Sequence, residues 1–76
     1  MRIEYDINCF DRTLCAVFPK EYAEHKDDIL KLLEGYYYAW HADNDPCDGC
    51  EEYMMDRLWD DYQWECWTSI DWEEEK

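Results

Sequence analysis

Cys47-Asp48-Gly49-Cys50 is the one motif in the chain whose residue types and spacing suggest chemistry. Two thiolates at this spacing can converge on one zinc ion, but a structural zinc site takes four ligands. His41, Cys66, Cys9 and Cys15 are the remaining candidate donors, and none forms a second close pair. The spacing therefore predicts small turn and helix-start residues, with no cofactor expected and zinc as the alternative. A redox role is weaker. A helix start lowers a thiol pKa, yet Asp45, Asp48, Glu51 and Glu52 surround Cys50 and favour the neutral thiol. A calcium loop fails on register: with Gly49 as the invariant glycine, the third position is Pro46 and the twelfth is Met55. Catalysis has little material, with two His, one Ser, two Thr and no glycine-rich loop, so no enzyme activity is expected.

Carboxylates are the abundant chemistry. Glu52, Asp56 and Asp60 recur every four residues, which on a helix places one carboxylate every ~6 Å along one face. Asp45, Asp48, Glu51 and Asp61 flank that row, and Glu65 and Asp71 follow it. Like charges four apart destabilise a helix by a few tenths of a kcal/mol each, and Arg57 is the only nearby base. Aromatic residues accompany the acids: Trp67 is expected to point opposite to Trp64 and Trp72, beside Glu65 and Asp71. Trp and Tyr are favoured interface anchors. The expected partner-binding set is thus Asp45, Asp48, Glu51, Glu52, Asp56, Asp60, Asp61, Glu65, Trp67 and Asp71.

The elements that must carry these groups follow from hydrophobic periodicity. Residues 2–8 alternate, with Ile3, Tyr5 and Ile7 on one side, and 13–18 alternate again, predicting an antiparallel hairpin. Pro19 suits a first helical position. Tyr22, Ile29, Leu30, Leu33, Tyr37 and Trp40 then recur at helical spacing, predicting a helix over 19–41 that continues through Gly35. Asp43-Asn44-Asp45-Pro46 is a stop. Asp48 and Glu51 read as a cap and its partner, opening a second helix over 49–62 with Met55, Leu58, Trp59 and Tyr62 as its apolar stripe. Residues 63–72 alternate as a third strand, with Trp64, Cys66, Thr68, Ile70 and Trp72 on one face, and 73–76 form a frayed tail. The reading is one α+β domain of order β-β-α-α-β, an antiparallel three-stranded sheet with two helices on one face.

Composition narrows the function class. The chain has 76 residues, enough for one modest core. Its 18% aromatic content supplies that core, since each buried ring removes roughly 150–250 Å² from water. The net charge is −14, and it is uneven: residues 1–42 carry −3 and residues 43–76 carry −11. Such a surface repels nucleic acids and anionic membranes and attracts basic proteins. The start, Met1-Arg2-Ile3-Glu4, lacks a signal-type apolar run, no apolar stretch reaches the roughly 20 residues of a membrane span, and five cysteines are an odd number. These predict a cytoplasmic protein with reduced thiols.

In size, in the charge of residues 43–76 and in its β-β-α-α-β order, the chain resembles the small acidic DNA-mimic proteins of phages and mobile elements, anti-CRISPR proteins among them. The resemblance implies an inhibitor whose carboxylates fill a Lys/Arg-lined groove of a nucleic-acid-binding enzyme, such as a CRISPR effector in a bacterial host cell. Two other readings accompany it: an antitoxin-like regulatory subunit that binds a basic protein without imitating DNA, and a small zinc-binding domain on Cys47 and Cys50.

Overall fold

The computed structural model describes residues 1–44 and 47–72. Asp45, Pro46 and the expected tail 73–76 lie outside the described residues. The order is β1 (Arg2–Ile7), β2 (Arg12–Val17), a 3-10 helix (Lys20–His25), α1 (Lys26–Asp43), α2 (Cys50–Trp59) and β3 (Cys66–Asp71). The strands form one antiparallel sheet with β2 in the centre. The fold is α+β, with the order and sheet that the periodicity predicts.

The pairing register defines two sheet faces. Ile3, Tyr5 and Ile7 of β1 stand opposite Ala16, Leu14 and Arg12 of β2, which stand opposite Trp67, Ser69 and Asp71 of β3. This inner face meets Ile29 and Leu33 of α1 and Cys50, Met54, Met55 and Leu58 of α2, all fully buried. Alternation sufficed for β1 because its two faces differ sharply in polarity; in β2 Leu14 and Ala16 are in phase on the inner face, although Cys15 on the outer face is buried as well. The helix before Asp43 opens differently from expectation. Pro19 is the cap rather than the first helical residue, and the first turns are 3-10. The α-helix runs unbroken past Gly35, whose surroundings are open. No helix among the described residues is long and apolar enough to cross a membrane.

Three local expectations are corrected. Gly49, not Asp48, is the residue before α2; its φ of +84° is left-handed, where glycine is favoured, and no side chain caps the helix. That tight entry brings Cys47 back beside Cys50, and Glu51 faces Arg12 instead of the cap. The buried stripe of α2 is Cys50, Met54, Met55 and Leu58, because the helix ends at Trp59, which is 45% exposed. The third strand starts only at Cys66, so its phase does not extend back to Trp64. Trp67 faces inward, opposite Ala16, while Cys66, Thr68 and Ile70 lie on the outer face. The inner face of β3 is fixed by the register with Leu14 and Ala16, which its own mixed composition does not reveal.

Candidate metal centre and acidic face

The hairpin between β1 and β2 turns over Asn8–Asp11. Phe10 N donates to Ile7 O, Asp11 N donates to Asn8 O, and Asp11 takes a left-handed φ of 53°. The turn carries Cys9 at its tip. The last turn of α1 carries His41, and the tight entry to α2 carries Cys47 and Cys50. These segments meet at one corner of the molecule. Cys9 Sγ lies 3.7 Å from Cys47 Sγ and 3.6 Å from Cys50 Sγ. With one ring nitrogen of His41, the four donor atoms all lie within 4.8 Å of one another. They could hold a metal ion. All five cysteines of the chain are free thiols.

The geometry has a specific match. Thiolates bound tetrahedrally at the usual zinc–sulfur length of about 2.3 Å stand about 3.8 Å apart, close to both sulfur separations. His41 is prepared in the same sense. Its Nδ1 donates to the backbone carbonyl of Tyr37 at 2.7 Å, in the tautomer this contact requires, and the Tyr37 ring packs on the imidazole with centroids 4.1 Å apart. In the neutral imidazole this contact places the proton on Nδ1 and the lone pair on Nε2. Metal-binding histidines commonly donate their other N–H to a backbone carbonyl in this way. Nε2 is buried and makes no hydrogen bond; among the described residues only Trp40 Nε1 shares that condition. A buried polar atom without a partner is costly.

Burial pushes the thiols of Cys50 and Cys9 up from their ordinary pKa, and the neighbouring sulfurs add to the effect at Cys50. Without a cation Cys9 and Cys50 thus favour the neutral thiol, and a bound metal would invert that preference. Cys66 and Cys15 take no part. Cys66 is exposed on the outer face, and Cys15, on the outer face of β2, accepts a contact from Arg2 at 3.4 Å. The sequence left the two further ligands open among His41, Cys66, Cys9 and Cys15; the fold selects His41 and Cys9. Part of this was legible. His41 ends a helix just before the loop that carries both Cys47 and Cys50, and Cys9 sits in a turn.

The acids of α2 divide into two groups. Glu52, Asp56 and Asp60 are exposed, as are Asp48, Asp61 and Glu65. Among the described residues none of these six has a cation within salt-bridge distance. Arg57, the nearest base, lies with its guanidinium 5.5 Å from the Tyr53 ring centroid. Asp61 accepts a hydrogen bond from Tyr36 Oη at 3.2 Å. Glu51 belongs to the fold instead: it is 7% exposed and accepts from Arg12 Nη1 at 3.2 Å, while Arg12 Nε donates to Asp71 at 2.6 Å. Arg12 therefore ties β2 to α2 and to the end of β3. Trp67 is half-buried and packs edge-on against Trp64 at 6.5 Å. Asp45 lies outside the described residues. Comparison with protein-family models, with curated proteins and with solved structures finds no match to this chain.

Proposed function

We infer that this chain is a zinc-organised docking domain whose exposed acids bind a basic protein surface. The observation that carries the metal half is the cluster of His41 and three cysteines with donor atoms all within 4.8 Å, two sulfur separations at tetrahedral spacing, and a buried His41 Nε2 without a hydrogen bond. Three thiolates and an imidazole suit zinc, and four protein ligands leave no open position, so the ion has a structural rather than a catalytic role. It joins the hairpin, the end of α1 and the start of α2, which a 76-residue core supports weakly by itself. Zinc content of protein purified without chelator tests this half, together with the thiolate-to-cobalt absorption band on Co(II) substitution. One equivalent per chain is expected, and lost in His41→Ala; no bound metal would overturn it.

The acidic half is supported by the exposed row Glu52, Asp56 and Asp60, which has no cation in salt-bridge distance among the described residues. A rigid, pre-ordered anionic face suits a groove built for phosphates, so the partner we propose is a nucleic-acid-binding enzyme, inhibited by occupation of that groove. Affinity capture from a bacterial lysate at low salt is the test. It compares the native protein with the triple variant Glu52→Lys, Asp56→Lys, Asp60→Lys and challenges both with duplex DNA. The reading expects a basic protein retained by the native face alone and displaced by DNA. Equal retention by the variant would overturn acidic docking. Retention unaffected by DNA would leave docking standing and remove the mimicry, which is the antitoxin-like alternative.

A further inference from the structure

The two edges of the sheet are not equivalent. Phe18 N donates to Met1 O at 2.7 Å and Trp72 N donates to Asp11 O at 2.9 Å. In an antiparallel ladder hydrogen-bonded pairs recur at every second residue, so these two bonds set the phase on both sides of β2. Ile3, Tyr5 and Ile7 turn their backbone groups toward β2, and Arg2, Glu4 and Asp6 turn theirs outward. On the other side Cys66, Thr68 and Ile70 face β2, and Trp67, Ser69 and Asp71 turn theirs outward. The outward positions of β1 carry three charged side chains, a usual guard against edge pairing. The outward positions of β3 carry one, Asp71, and it is held by Arg12. The strand has no proline or lysine, is rich in β-favouring residues, and has β2 as its only extensive neighbour among the described elements.

Beside this edge lies a cleft. It separates the inner side of β3 from the start of α2, and Trp67, Ser69, Asp48, Glu51 and Glu52 line it together with Arg12. The charge of Arg12 is matched by Glu51 and Asp71. Asp48 and Glu52, one on each side of Gly49, are exposed and have no cation in salt-bridge distance among the described residues.

We propose that the open edge of β3 and the acidic cleft beside it bind an extended basic peptide as a fourth strand. This rests on the reading of the domain as an acidic docking module and names where the partner enters. Three outward backbone positions supply main-chain pairing. Alternate side chains of the added strand fall over the cleft, where Trp67 offers a ring face and Asp48 and Glu52 offer charge to Lys or Arg. Strand addition works in this way: the backbone supplies affinity and alternate pockets supply selectivity. A second copy of this chain is a poor occupant, because each carries a net charge of −14.

The test uses the folded full chain and a hexapeptide of alternating Lys and Val with blocked ends. Its twin is N-methylated at every second residue, on the side that would face β3. N-methylation keeps every charge and removes the pairing N–H groups. The parent peptide should bind and slow hydrogen exchange at the Trp67, Ser69 and Asp71 amides. The twin should bind at least about tenfold more weakly, as expected for the loss of two or three backbone hydrogen bonds. Ser69→Pro should weaken the parent similarly while metal content and helix content stay unchanged, since this N–H makes no ladder bond. Equal binding of the two peptides, or protection confined to Glu52, Asp56 and Asp60, would overturn the fourth strand and leave acidic docking intact. No binding of the parent at millimolar concentration, or a dimer paired through β3, would also overturn it. The lysate capture described above reads the docking function separately.

Discussion

The two sides of α2 present opposite problems. On one side Cys50, Met54, Met55 and Leu58 are fully buried, and the helix starts in a corner where three thiols and an imidazole crowd together. On the other side Glu52, Asp56 and Asp60 stand exposed in a row with no cation in salt-bridge distance among the described residues. Among the described residues neither side has a cation beside it, and the proposed function supplies one to each. The corner suits a compact, soft, dehydrated ion that four donors can enclose. The row suits a spread of basic side chains on a protein surface. On the proposed reading the helix is a two-sided device, with its inner side to be closed by metal and its outer side kept for a partner. Loss of the inner closure should cost stability, and changes to the outer row should cost binding.

The largest effect should come from the inner side. A ligand present at a thousandfold excess over its dissociation constant stabilises a fold by about 4 kcal/mol. In a domain of this size each kcal/mol moves the Tm by about 4–8 °C. Chelation, or Cys9→Ser or His41→Ala in the presence of zinc, should therefore lower the Tm by at least about 15 °C in a thermal melt. Cys66→Ser should leave it unchanged, because Cys66 lies on the outer face of the sheet. A variant series in which Cys66→Ser costs as much as Cys9→Ser would erase the distinction between the two sides.

Next comes the sign of the pH dependence. Burial raises the Cys9 and Cys50 thiols in the folded chain. A raised acid holds its proton more tightly folded than unfolded. Metal-free stability should accordingly be level below the unfolded thiol pKa of about 8.5 and fall as pH rises beyond it. Zinc reverses this, since each ligand thiol must release its proton. Affinity should rise with pH, by up to about a thousandfold per unit while all three thiols are protonated. Melting curves from pH 7 to 9.5, with and without zinc, should diverge. Parallel curves would mean that no thiolate forms at the corner.

A smaller effect separates Glu51 from its neighbour Glu52. Arg12→Ala leaves the buried Glu51 carboxylate without its cation, and removing one member of a buried pair is destabilising. The Tm should fall by about 5–15 °C. Arg2→Ala, which breaks only the exposed pair Arg2–Glu4 at 3.0 Å, should move it by less than about 3 °C. Equal effects would place Glu51 with the surface acids.

The acid row was legible in the sequence because a helix turns a local spacing into a face without help from the rest of the fold. β1 and α1 were legible for a related reason, since their polar and apolar positions contrast at one period, with β2 legible as the partner of β1 across a short turn. β3 was not, because Trp67 and Ser69 on one face differ little in character from Thr68 and Ile70 on the other, so only pairing with β2 decides which is inside. Glu51 and Glu52 are likewise identical in type, and only the rotation of α2 tells them apart. The corner of three thiols and an imidazole depends on the fold most of all. Cys9 is 38 and 41 residues from Cys47 and Cys50, and only the packing of the hairpin against both helix ends makes the three thiols neighbours.

The smallest effect is the one that bears on purpose. Glu52→Gln, Asp56→Asn and Asp60→Asn together remove two like-charge contacts at i, i+4. They should stabilise the zinc-loaded fold by about 0.5–1 kcal/mol at low ionic strength. The gain should shrink in 1 M salt, where the screening length drops to about 3 Å. Denaturant unfolding at the two salt concentrations measures both. A gain in stability with a loss of partner binding would mean the row is held at a cost to the fold, which a solvated face has no reason to bear. A loss of stability would mean the three carboxylates support the helix, and the outer side of α2 would then belong to the same structural category as the inner.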